Sequence, residues 1–253
     1  MGAKTKNAII ALYLLFVMVL AVVTQNYVRF SVSAAAEEPD ANTNSTSAYM
    51  AVPILWHAPM VGIGIMVPAN PSWAYNVVLQ AINEWNTEQA QFVATYYPND
   101  TGQDVYRLYA TTQNPAVVMS FQSTGADLTS ALGLPDALAM TNYDGQQFTV
   151  GINAALINVP DNATSHELLY RVVLHELGHV MGLGELMGTD DVMNMVMFYY
   201  TNHNAVSYFS TTDLYAIRQM VIQSSASTTP LFIFLPAGIP YQLINVDSTI
   251  GAS

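Results

Sequence analysis

Val173–Glu185, reading VLHELGHVMGLGE, decides what the rest of the chain has to build. Within it His175, Glu176 and His179 form H-E-x-x-H. On a helix, positions i and i+4 lie one turn apart on one face, so both imidazoles reach a single metal ion. Glu176 stands beside the first of them, where a carboxylate can activate a metal-bound water. Gly182 follows where a glycine lets the chain leave the helix in a sharp turn. Glu185 is a candidate third ligand, with Asp190, Asp191 and His203 as competitors.

Working outward, Thr164 with Glu167 three residues on has the pattern of a capping box. It predicts a helix through Leu168, Leu169, Val172, Val173, Leu174 and Leu177 that carries the two histidines. Upstream, Val61–Val67 (VGIGIMV) has strand composition, and Asn70-Pro71 offers a cap with proline at the first helical position. Trp73, Val77, Val78, Ala81, Ile82 and Trp85 recur at helical spacing and predict a long helix over 71–90. Gln91–Tyr97, Ala116–Gln122, Ala137–Thr141 and Phe148–Val159 read as strands, the last two joined by a turn at Asn142–Gly145. Downstream, Ser210 and Asp213 form a second cap that opens a helix from Thr211 to about Gln223. The apolar run Leu231–Pro240 reads as a packed strand or surface tail. This order predicts an α+β fold, a sheet with helices packed on one side.

Hydrophobic residues make up 52% of the 253 and charged residues only 9%, which excludes extensive disorder. Three of the six basic residues lie in the first 30, whereas every acidic residue is at 37 or beyond. Past that leader, three basic side chains face 18 acidic ones, a net charge of −15. No basic patch is left to neutralise phosphates, so a nucleic-acid partner is not expected. The absence of cysteine excludes disulfides, thiolate zinc ligands and a cysteine-based latency device.

Lys4 and Lys6 precede an apolar run, Ala8–Val23, broken only by Tyr13. This is the pattern of an export leader, a signal peptide or membrane anchor over 1–33. The A-x-A at Ala34–Ala36 lies too far past the apolar run for a typical cleavage site, which favours an uncleaved anchor. Residues 34–50 are small and polar and read as a linker; 51–223 form the domain and 224–253 a tail. Asn44, Asn99 and Asn162 each begin an N-x-S/T sequon, usable on the exported side.

The run His175-Glu176-Leu-Gly-His179-Val-Met-Gly182-Leu-Gly-Glu185, followed by Asp191-Val192-Met193, resembles the metzincin zinc proteases, and within them is most similar to matrixins. WAYNVVLQAINEW, AVVMSF and FSTTDLYAIRQM fall in matching order, so the likeness spans roughly 55–223 at the level of pattern. It implies a twisted mixed β-sheet with a long N-terminal helix, an active-site helix and a C-terminal helix. It also implies one catalytic zinc held by His175, His179 and the residue at 185, with Glu176 as general base. Met193 takes the place of the methionine in the turn beneath the metal, with Met195 and Met197 as competitors. Metzincins carry histidine or aspartate where this chain has Glu185; His₂Glu is a known zinc donor set. Tyr199 or Tyr200 is a candidate hydrogen-bond donor to an oxyanion.

The function so implied is hydrolysis of a peptide or protein substrate by an extracellular, secreted or membrane-anchored zinc endopeptidase. A catalytically inactive, exported zinc-binding or adhesive domain of the same fold is the alternative. The strand before the metal helix, around Gly151–Val159, is the expected edge for an extended peptide. His57, His166 and His203 are read as structural or surface residues.

Overall fold

The computed structural model describes residues 49–51, 60–67, 73–100, 105–122, 138–143, 147–184, 192–193, 208–222 and 231–245. The leader, most of the linker, the Asn70-Pro71 cap, His57, Glu185, Asp190, Asp191, Met195, Met197, Tyr199, Tyr200 and His203 lie outside them. In order, the elements are β1 (Tyr49–Ala51), β2 (Met60–Met66), α1 (Trp73–Tyr96), β3 (Arg107–Ala110), β4 (Val117–Gln122), β5 (Ala139–Tyr143) and β6 (Phe148–Asn153). A 3₁₀ turn (Ala154–Leu156), α2 (Ala163–Val180), β7 (Tyr208–Ser210), α3 (Thr211–Ile222), β8 (Leu231–Ile233) and β9 (Leu243–Asn245) complete the chain.

The central sheet has the order β3-β2-β4-β6-β5. β2, β3, β4 and β6 run parallel, and β5 is antiparallel to β6, so the sheet is mixed. Parallel neighbours need long crossovers, which α1 supplies between β2 and β3. Val61 and Ile63, Val117 and Met119, and Phe148, Val150 and Ile152 put one face of the sheet in the core at strand period, and on the other face the glycines Gly62, Gly64 and Gly151 are covered as well. α1 and α2 pack on each other, α1 touching β3 and α2 touching β5. Burial of each such Val, Ile or Phe stabilises by roughly 1.5–3 kcal/mol before chain entropy is set against it.

Three sequence expectations are corrected. Gln91–Tyr97 is not a strand: Gln91–Tyr96 are the last turns of α1 and Tyr97 follows its end. Phe92 and Val93 continue the buried face that runs through Trp85, Glu88 and Gln89, and that continuity outweighs the local β-propensity of FVATYY. The segment Phe148–Val159 is strand only to Asn153, then turns through the 3₁₀ element. β6 is also an interior strand, paired on both sides, so it offers no edge; among the described residues the outer strands are β3 and β5.

The tail is tied to the domain. β8 pairs antiparallel with β1, and β9 with β7. Thr211, at the start of α3, donates its N–H to Gln242 O and its hydroxyl to Pro240 O. α3 begins with the expected reciprocal box: Ser210 N–H donates to Asp213 Oδ2 at 3.0 Å, and Asp213 N–H to Ser210 Oγ at 3.1 Å. Arg218 links α3 to the loop after α1 through Asp100 at 2.8 Å while stacking over Tyr97. Among the described residues no helix is long and apolar enough to cross a membrane.

Candidate metal centre

α2 starts two residues earlier than Thr164 and Glu167 suggest. Its N-cap is Asn162, whose side-chain oxygen accepts from Ser165 N–H at 3.0 Å. Asparagine serves as well as serine or threonine at this position, and the backbone enters the helix at Ala163. Glu167 instead pairs with Arg171, one turn on along the half-buried flank of the helix. Nine residues into the helix every side chain becomes buried, from Val172 to Val180, and His175, Glu176 and His179 all lie in that stretch. Trp85 of α1 fixes the helix from the side by donating its indole N–H to Leu174 O at 2.9 Å.

Both histidines are held by backbone carbonyls. His175 Nδ1 lies 2.9 Å from Val192 O, and His179 Nδ1 lies 2.9 Å from Leu183 O. A carbonyl can only accept, so each Nδ1 carries a hydrogen and Nε2 is left as the nitrogen that can bind a metal. Those two Nε2 atoms face each other at 3.0 Å, with the rings edge to face. Two ring nitrogens this close need a proton or a metal ion between them. Zinc–nitrogen bonds of about 2.0–2.1 Å at a tetrahedral angle put two ligand nitrogens about 3.3 Å apart, close to the distance here. The hydrogen bond from the second ring nitrogen is the usual device that orients a metal-binding histidine. The donor pair therefore fits a divalent metal.

The loop after α2 makes that geometry possible. Gly182 has φ 99°, in the left-handed region that the sequence reserved for it. Its N–H donates to His179 O and that of Leu183 to Gly178 O, both at 3.0 Å, which closes the helix in a Schellman motif. The same turn swings Leu183 O back onto His179. Val192 and Met193 return to the helix from the other side: Val192 O meets His175, and Met193 is fully buried. A Cβ at Gly178 would lie 2.2 Å from Met193 Sδ, so this methionine packs on bare helix backbone between the two histidines.

Glu176 points elsewhere. Its Oε2 accepts from Thr141 Oγ1 at 2.6 Å, and Thr141 belongs to β5, the antiparallel outer strand. Oε1 has no hydrogen-bond partner among the described residues. Thr141 and the carbonyls of Leu183 and Val192 have no signature in the sequence; their roles come from chain return, not local pattern. Among the described residues no third His, Asp or Glu joins the histidine pair. Of the predicted site residues, His175 and His179 come together and Met193 packs on the helix between them, while Glu176 lies in the same buried stretch with its carboxylate on Thr141; Glu185, Tyr199 and Tyr200 lie outside the described residues. His166, read as structural or surface, is partly covered, stacked on Trp73 at 4.5 Å with Asp161 at 2.7 Å from its Nε2. A cavity of about 360 Å³ lined by Ile65, Tyr75 and Thr111–Gln113 shares no residue with this centre.

No protein-family model matches the chain, and no curated protein matches it. Among solved structures it is similar to a chain described as "GM1 bound form of the ECX AB5 holotoxin". That likeness has 12% identity, covers 71% of this chain and 90% of the other, and has a TM-score of 0.46.

Proposed function

We propose that this chain is an exported, zinc-dependent endopeptidase of the metzincin type. The observation that carries the reading is the pair of opposed Nε2 atoms at 3.0 Å, each ring locked by a backbone carbonyl. Further support comes from a methionine packed under the metal helix and from a mixed sheet with three helices in the implied order. His175 and His179 would hold the metal, with Glu185 as third ligand. When bound, zinc supplies Lewis-acid polarisation of a carbonyl and a water acidic enough to ionise near neutral pH.

In this reading an extended peptide adds to β5, the outer strand beside Glu176, in place of the interior strand first expected. Glu176 takes the proton from water as its oxygen bonds to the scissile carbonyl carbon. The same carboxyl then returns that proton to the amide nitrogen as the C–N bond breaks. Tyr199 or Tyr200 is proposed to donate to the developing oxyanion. The leader over 1–33 would export the domain or tether it to a membrane.

Zinc stoichiometry and cleavage of a casein-type substrate, measured on wild type and Glu176→Gln, test the proposal. One zinc in both proteins with proteolysis only in wild type is the expected result. Full proteolysis in Glu176→Gln refutes the assigned base. Zinc without any cleavage by wild type identifies the inactive binding domain, and no stoichiometric zinc refutes the metal site.

A further inference from the structure

We infer that Thr141 is the positioning residue for Glu176, tying the general base to the outer strand of the sheet; the catalytic part of this inference rests on the peptidase reading above. The hydroxyl-to-carboxylate distance of 2.6 Å is that of a charge-assisted hydrogen bond. The same hydroxyl lies 3.2 Å from Glu176 O, but it has one hydrogen, and the closer carboxylate takes it. Thr141 is 7% exposed and Glu176 5%, so water competes poorly for either group.

The anchor is stiff on both sides. Thr141 is β-branched, which restricts χ1, and its backbone is registered opposite Val150 of β6. Glu176 lies mid-way along a buried helical stretch. One carboxylate oxygen is therefore fixed while Oε1 keeps its hydrogen-bonding capacity for a transferred proton. A free glutamate would spread over several rotamers; a pinned one is already oriented when substrate arrives. The contact also makes β5 serve two ends, with its backbone as the free edge for a peptide and its Thr141 side chain on the base.

Thr141→Val keeps the shape and removes the hydroxyl, whereas Thr141→Ser keeps the hydroxyl. With zinc content measured alongside, Thr141→Val should lower kcat by about 10–100-fold, leaving KM within about twofold and zinc unchanged. Thr141→Ser should hold kcat within about threefold of wild type. A Val variant with full kcat, or a Ser variant that falls as far as Val, overturns the assignment. A second measurement needs no activity: the denaturant midpoint of the metal-free full chain. Thr141→Val should lower it in the Glu176 background and leave it unchanged in a Glu176→Met background. Equal shifts in both backgrounds overturn the contact even if wild type is an active peptidase. Coupled midpoints in a wild type that cleaves nothing uphold the contact and refute the peptidase reading instead.

Discussion

Replacing Gly178 by alanine opposes two effects of similar size, and the sign of the result reports where Met193 sits. In an exposed helix the change would stabilise by about 1 kcal/mol, because glycine loses more backbone freedom on folding. Here the new methyl carbon would lie 2.2 Å from Met193 Sδ and 2.9 Å from its Cε, with Trp85 Cζ2 at 3.4 Å behind it. Met193 and Trp85 are both fully buried, so the thioether has to re-route within a filled core. Overpacking of this kind costs about 1–3 kcal/mol. The net is a loss of up to about 2 kcal/mol, which for a domain of this size lowers Tm by up to about 8 °C. Thermal unfolding of the metal-free protein by circular dichroism measures it. A Met193→Ala change made in the Gly178→Ala background should cost less than the same change in wild type, since the added methyl fills part of the space the thioether vacates. A rise in Tm for Gly178→Ala, by about 2–4 °C, would show that nothing packs on the helix there and refute the methionine turn.

Gly182→Ala forces a side chain into positive φ and loosens the turn that aims Leu183 O at His179. Zinc affinity should fall by about 10–100-fold, the usual cost of losing such an outer hydrogen bond, as read by competition with a chromophoric chelator; unchanged affinity would show that the carbonyl does not orient the ring. Burial, and secondarily the neighbouring Glu84, pushes Glu88 up to about 7. A carboxyl raised on folding holds its proton more tightly in the native state, so stability falls as pH rises from about 4.5 to 7 and is level beyond. Glu88→Gln should flatten that part of the profile in denaturant titrations at pH 5 and pH 7; an unaltered slope would assign it to other groups.

The local devices were readable because their partners lie within one turn. His175 and His179 share a face by spacing alone, Gly182 announces its turn, and Ser210 with Asp213 forms the box that the residues spell out. Misreadings arose where two local signals competed. FVATYY has strand propensity, yet Phe92 and Val93 extend a helical face begun at Trp73, and packing decided. Asn162 and Thr164 are both acceptable caps, and only the backbone path selects the first. β6 has strand composition but nothing in it states that both its edges are filled. The contact between Thr141 and Glu176 spans 35 residues and depends on sheet order, so no window of sequence contains it. The same holds for Val192 O, brought to His175 across 17 residues.

The pairing of β1 with β8 joins the first described residues to some of the last. Closing so long a loop is slow and entropically costly compared with pairings inside the sheet. In a chain made from its N-terminus, β1 waits without a partner until β8 has been synthesised. The central sheet and the histidine helix, complete by residue 180, can dock long before that seam closes. Synthesis order thus lets the histidine helix settle against the sheet while the two ends of the domain are still open.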